Sequence, residues 1–294
     1  MFDLYVVGVH GRYALGQDFG GGAFGCVMEA RSPAGLTCVV KRLRDLKNLD
    51  AVERFRREFR LLGKYEHPNV IRVLDHGEDP TLGPWFAMER MPGTLADVIG
   101  RKRTWEEVLQ MMVGICDGLA YIHTRKGMHR DIKPENILID GRGNPKLCDL
   151  GLGRDLTSST ATQNLAGTPA YVAPEVWLDA AQPTSDIYSL GIVLWELANG
   201  KRHKEPNKPP KLIADGPHFQ QIEPIYKAMT RRDPAKRPTA SEVKRACEDA
   251  LNWLRAAPKA PARKARAEVD PVAAVVGGAV ILGGIALLVA LLSD

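Results

Sequence analysis

Apolar and polar positions divide the chain into three unlike stretches. Up to about Arg90, short glycine-punctuated apolar runs such as Thr37-Cys38-Val39-Val40 and Trp85-Phe86-Ala87-Met88 have the length and residue types of β-strands. One helix is predicted to interrupt them. Val52, Phe55, Phe59 and Leu62 recur at helical spacing, Glu58 falls at the edge of the stripe, and Asp50 with Glu53 three residues on supplies a capping signal. Beyond Thr94 the period is helical. Thr104 and Glu107 form a capping box ahead of Val108, Met111, Ile115, Leu119 and Ile122, and Thr239 with Glu242 marks another start. Residues 187–197 are apolar nearly all round, the pattern of a buried helix. The last stretch, 272–292, carries no charged or polar side chain. As a helix it would be roughly 30 Å long, the thickness of a bilayer core.

That run predicts one C-terminal transmembrane helix. Arg255, Lys259, Arg263, Lys264 and Arg266 precede it and no basic residue follows, which by the positive-inside rule keeps the body of the chain in the cytoplasm. Residues 256–271, rich in alanine, proline and basic side chains, read as a juxtamembrane linker, either solvated or resting on anionic headgroups of the lipid bilayer. Ala279, Gly283, Ala286 and Ala290 share one face of the span, where small residues would let two copies pair as a homodimer. The expected location is therefore a single-pass membrane protein with a C-terminal anchor.

Composition narrows this picture slightly. Forty Lys and Arg against thirty-five Asp and Glu leave a net charge of +5, too mild to argue for nucleic acid, and aromatic-interleaved basic patches are missing. Five scattered cysteines form no C-x-x-C pair and no zinc spacing, which suggests free thiols in a reducing compartment.

The chemistry is concentrated in a few places. Residues 20–27 fit G-x-G-x-x-G-x-V, in which Gly20, Gly22 and Gly25 would let backbone amides approach a phosphate chain. The Lys-Ser/Thr ending of a P-loop is absent. Lys41 closes the apolar run at 38–40, and Glu58 is placed to hold it through an ion pair. His129-Arg130-Asp131-Ile132-Lys133-Pro134-Glu135-Asn136 is followed thirteen residues after Asn136 by Asp149-Leu150-Gly151, so a candidate base, a phosphate-neutralising lysine and two metal ligands lie close together. Ala173-Pro174-Glu175 follows, then Asp186 and Arg237.

From about Arg12 to Leu254 this set resembles a eukaryotic-type serine/threonine protein kinase, in particular membrane-anchored bacterial members. The resemblance implies an α+β, bilobal fold: a small β-rich N-lobe over 12–91 and a larger α-helical C-lobe over 92–255, here followed by the linker and the span. It implies ATP and Mg²⁺, with Mn²⁺ as an alternative, and protein substrates bearing Ser or Thr. Asp131 would orient the acceptor hydroxyl and take its proton, Lys133 would neutralise the transferring phosphoryl, and Asn136 and Asp149 would hold the metal. Glu89 to Met91 would face adenine as a hinge, Met88 would close the back of the pocket, and Val27, Val39 and Leu138 would sandwich the base. Asp186 falls where the family keeps a helix-anchoring aspartate, and Arg237 would pair with Glu175.

Lys133-Pro134-Glu135 and the run 167–171 resemble serine/threonine rather than tyrosine kinases, with Thr168 near Asp131 and Lys133. Arg130 beside Asp131 implies control by phosphorylation in the segment before Thr168, and Thr160 and Thr162 are the favoured sites, modified in trans by a tethered copy. The basic, proline-broken stretch 200–217 stands where the family keeps a partner-docking helix, and reads as a solvated loop. Cys148, just before Asp149, is expected to be a small buried filler. A reading from another class is a pseudokinase scaffold that binds nucleotide without turnover. The intact set Lys41, Glu58, Asp131, Asn136 and Asp149 speaks against it.

Overall fold

A computed structural model describes residues 4–20, 25–101, 103–150, 169–206, 208–211 and 219–256. The expected linker beyond Ala256 and the span at 272–292 lie outside them. Among the described residues no helix is long and apolar enough to cross a membrane.

The first lobe is a six-stranded antiparallel sheet in the order β1-β2-β3-β4-β6-β5, built from β1 (Leu4–Gly8), β2 (Gly11–Asp18), β3 (Cys26–Arg31), β4 (Thr37–Arg42), β5 (Val73–Asp79) and β6 (Gly83–Glu89). Strand alternation sorts its side chains. Cys38 and Val40 join Val6, Tyr13 and Trp85 in a cluster on one face, whereas Val39 joins the main core on the other. Lys41, two residues from Val39, therefore points to the same face as α1 (Leu49–Leu62), whose buried stripe is Val52, Phe55, Phe59 and Leu62 as its spacing predicts.

Two features differ from the sequence reading. The cap of α1 is Asn48, whose side chain accepts from the Ala51 amide at 3.0 Å, while Asp50 lies inside the first turn. The helix begins two residues earlier because Asn48 holds the extended backbone a cap requires. The sheet also starts at Leu4, ahead of Arg12. Buried Asp75 fastens this added strand, accepting from the amides of Val9 (3.1 Å) and His10 (2.9 Å) in the β1–β2 turn.

The second lobe is helical: α2 (Trp105–Thr124), α3 (Pro183–Asn199), α4 (Phe219–Met229) and α5 (Ala240–Ala256), with a small sheet of β7 (Gly93–Thr94), β8 (Ile137–Ile139) and β9 (Pro145–Leu147). The capping boxes at Thr104/Glu107 and Thr239/Glu242 form as expected. α3 is buried on nearly all sides and ends at Gly200 in a left-handed conformation (φ 60°). The described residues of 200–211 form no helix.

The lobes share one core, running from Val39 and Phe59 through Ile115 to Leu251. The segment after α1 is tied down through β9: Ile71 N donates to Leu147 O (2.8 Å) and Leu147 N to Asn69 O (2.9 Å). Gly118 of α2 permits this, since a Cβ there would stand 2.5 Å from Asn69 O.

Candidate active site

Lys41 is one place where the two lobes meet electrostatically. Its Nζ lies 2.9 Å from Glu58 Oε1 of α1 and 2.5 Å from Asp149 Oδ1, a residue 108 positions away. Burial pulls the lysine downward, but Asp149 and Glu58 outweigh it and hold the ammonium well above its ordinary range. Asp149 shows the mirror result: burial raises it, Lys41 lowers it more, and it stays ionised. Glu58 is left behind. Burial and the Asp149 charge exceed the help from Lys41 and push its carboxyl up to about 7. Gly25 makes room for this arrangement, because a Cβ there would sit 3.2 Å from Arg42 O and 3.7 Å from Lys41 Cε.

The run 129–136 folds around Asp131. Lys133 Nζ is 3.0 Å from Asp131 Oδ2, and Asn136 Nδ2 donates to both Asp131 Oδ2 (2.8 Å) and Asp131 O (2.9 Å). With its NH₂ group committed to Asp131, Asn136 has Oδ1 left as its oxygen donor. Cys148 N donates to Asn136 O (3.0 Å), which brings the backbone just before Asp149 against this loop. Arg130 and Asp149 both hold positive φ (65° and 57°), costly for residues with a Cβ. At Arg130 the cause is visible. Buried Asp186 of α3 accepts from the amides of His129 (2.8 Å) and Arg130 (2.8 Å), and His123 Nε2 stands 2.9 Å from the same carboxylate.

Of the residues expected around a base, those on the first sheet fall on neighbouring strands. Val39 pairs with Met88, and Val27 with Lys41, across adjacent strands. Val27, Met91 and Leu138 are half-buried against the core that holds Val39 and Met88. Glu89 has an added task that periodicity does not reveal: its Oε1 accepts from Arg72 N (2.9 Å) and pairs with Lys146 Nζ (2.7 Å), tying β6 to β9. Gly20 has φ 84° with open space around its Cα. Gly22, Thr160, Thr162 and Thr168 lie outside the described residues. Among the described residues no three His, Cys, Asp or Glu side chains converge as a metal nest.

This order of residues is matched by the profile of the protein kinase domain over residues 13–254, most of the chain. The chain belongs to the protein kinase domain family. Similar proteins include a probable serine/threonine-protein kinase, CE0033, of Corynebacterium efficiens, 37% identical over 67% of this chain and 32% of its own length. Serine/threonine-protein kinase PrkC of Bacillus subtilis is 31% identical over 80% of this chain and 39% of its own length. Mitogen-activated protein kinase kinase kinase 5 of Arabidopsis thaliana is 31% identical over 79% and 36%. The chain thus spans about a third of the length of these curated relatives.

Within this kinase domain, the support behind the loop is a second set of ion pairs. Glu175 meets buried Arg237 through two parallel bonds, Nη1–Oε1 at 2.6 Å and Nη2–Oε2 at 2.8 Å, and accepts from Ser185 Oγ at 2.6 Å. Cys148 is buried, and burial pushes its thiol well up, which fits a filler rather than a reactive group. Sequence reasoning missed Glu196 and Tyr171, buried partners joined by Tyr171 Oη donating to Glu196 Oε1 at 2.8 Å. The signal was present: a glutamate inside the otherwise largely apolar run 187–197 needs a partner.

Proposed function

We propose that this kinase domain transfers the γ-phosphoryl group of ATP to serine and threonine hydroxyls of proteins. The observation that carries the reading is the convergence of Lys133 and Asn136 on one oxygen of Asp131, at 3.0 and 2.8 Å. A carboxylate so held is fixed in direction, and a fixed base beside a lysine suits a reaction that depends on positioning and charge. The bacterial relatives named serine/threonine-protein kinase, and Lys133-Pro134-Glu135, support serine and threonine as acceptors.

In this reading the acceptor oxygen forms a bond to the γ-phosphorus, the bond to the bridging oxygen of ADP breaks, and the hydroxyl proton passes to Asp131. Lys133 neutralises charge on the moving group. Lys41, aligned by Glu58, binds the α- and β-phosphates. Asn136 Oδ1 and the Asp149 carboxylate are hard oxygen donors of the kind Mg²⁺ prefers, and Asp149 remains ionised to serve. A bound Mg²⁺ would supply charge neutralisation at the phosphates. The base would lie among Val27, Val39, Met88, Met91 and Leu138. The apolar run at 272–292 supports a membrane tether, with Thr160 and Thr162 phosphorylated in trans between tethered copies.

Transfer from radiolabelled ATP by the full chain in vesicles tests the reading. Asp131→Asn should lower the rate by about 10²–10⁴-fold with an unchanged melting temperature. Equal incorporation by both proteins would leave only a nucleotide-binding scaffold.

A further inference from the structure

The stretch after α3 is not simply solvated, because Arg202 turns inward. Its Nη2 donates to Glu135 Oε1 at 2.5 Å and to Tyr171 Oη at 2.9 Å, and its Nε stands 3.3 Å from Glu196 Oε1. The three partners come from separate parts of the chain: Glu135 from the catalytic loop, Tyr171 from the segment before Ala173-Pro174-Glu175, and Glu196 from α3. Glu196 is fully buried, while the Glu135 side chain is 47% exposed and that of Arg202 35% exposed. The guanidinium therefore plugs the mouth of a two-carboxylate recess whose floor is a buried acid.

That recess adjoins the acceptor groove. Glu135 is four residues from Asp131 in the same loop. Tyr171 and Asp131 also line one open cavity of about 220 Å³, together with Arg130, Val172 and Ser185. A protein segment presenting a hydroxyl to Asp131 extends about 3.3 Å per residue, so side chains a few positions away pass this recess. Without Arg202 it would present two carboxylates and a phenol, a ready receptor for a guanidinium on the substrate. Glu196 Oε2 strengthens the point, since it is buried with no hydrogen-bond partner among the described residues.

Resting on the kinase reading above, we propose that Arg202 is a specificity-determining residue. It fills from within the chain an acidic subsite beside the acceptor groove, so that an arginine flanking the acceptor gains no affinity there.

The test uses the full chain and a set of Ser peptides in which one Arg is walked from four residues before the acceptor to four after, against an all-Ala reference. With Arg202 intact, kcat/KM should vary less than about threefold along the walk. Arg202→Ala should gain about tenfold or more at one or two adjacent positions, in KM rather than kcat. Arg202→Lys, which keeps a cation in the recess, should gain far less, and Glu135→Gln added to Arg202→Ala should cancel the gain. A flat walk in Arg202→Ala, or a tenfold preference already present with Arg202 intact, would overturn the proposal. Peptide binding by fluorescence anisotropy in an Asp131→Asn background decides the matter without turnover. Arg202→Ala should then bind the best Arg peptide about tenfold more tightly, and equal binding would overturn the proposal even if every peptide fails as a substrate. Arg202→Met serves as the second variant should Arg202→Ala fold poorly.

Discussion

Two ion clusters in this molecule, one buried and one partly exposed at the lobe junction, are built on different charge counts. At Glu175 one carboxylate meets one guanidinium, and Arg237 directs its other N–H groups to the carbonyls of Thr184, Arg231 and Arg232. At Lys41 one ammonium serves two carboxylates, Glu58 and Asp149. Burial pushes both glutamates upward, yet Glu175 ends below its ordinary value and Glu58 at about 7. The first cluster is saturated and behaves as scaffold. The second has one carboxyl group more than its ammonium can balance, so Glu58 binds a proton readily and a further cation at the lobe junction would favour its charged form. What separates a structural pair from a candidate functional one is this stoichiometry together with exposure, since the Arg237 side chain is fully buried and the Asp149 side chain is 41% exposed.

The largest expected effect breaks the saturated side. Arg237→Ala strands a buried carboxylate and should cost about 3–5 kcal/mol in urea unfolding. Lys41→Met should cost clearly less, because Glu58 already lies near neutrality and the Asp149 side chain is 41% exposed. Equal losses would erase the distinction between the two clusters.

A pH series sharpens it, because the two glutamates predict opposite slopes. Glu58 binds its proton more tightly folded than unfolded. Its contribution to stability is therefore full below about 4.5 and is lost as pH rises through about 7. Glu175 binds its proton less tightly when folded, since Arg237 and Ser185 favour its charged form over the opposing burial. Its contribution is present above about 4.5 and is lost as pH falls through the lowered folded value. In the metal-free protein, Glu58→Gln should flatten a decline between pH 4.5 and 7, and Glu175→Gln should flatten the acid-side loss. Urea midpoints across this range measure both, and slopes of the same sign would contradict the charge count.

The legible parts of the molecule are those set by local rules. The α1 stripe, the Thr104/Glu107 and Thr239/Glu242 boxes and the buried α3 follow from spacing alone. The pairing of Lys41 with Glu58 was expected, but its second partner, Asp149, 108 positions away, was not. The reading fell short at other long-range contacts too. Arg202 and Glu135 are 67 residues apart, and a basic, proline-rich run gives no sign of which of its cations turns inward. Glu89 with Lys146, and Asp75 with the β1–β2 turn, are long-range in the same way.

The smallest expected effect tests whether the two clusters are independent. Asn48 caps the helix that carries Glu58, whereas Asp50 lies within its first turn. Asn48→Ala should therefore cost about 1 kcal/mol and Asp50→Ala only a few tenths. The loss at Asn48 loosens the start of α1, which faces the Lys41 cluster and shares no hydrogen bond or ion pair with Glu175 or Arg237 among the described residues. Combined with Arg237→Ala, it should add to within about 0.5 kcal/mol, as separate sites do. A coupling above about 1 kcal/mol in that double-mutant cycle would mean that the saturated and surplus clusters report on one shared structure, and the contrast between scaffold and receptive site would then have to be drawn elsewhere.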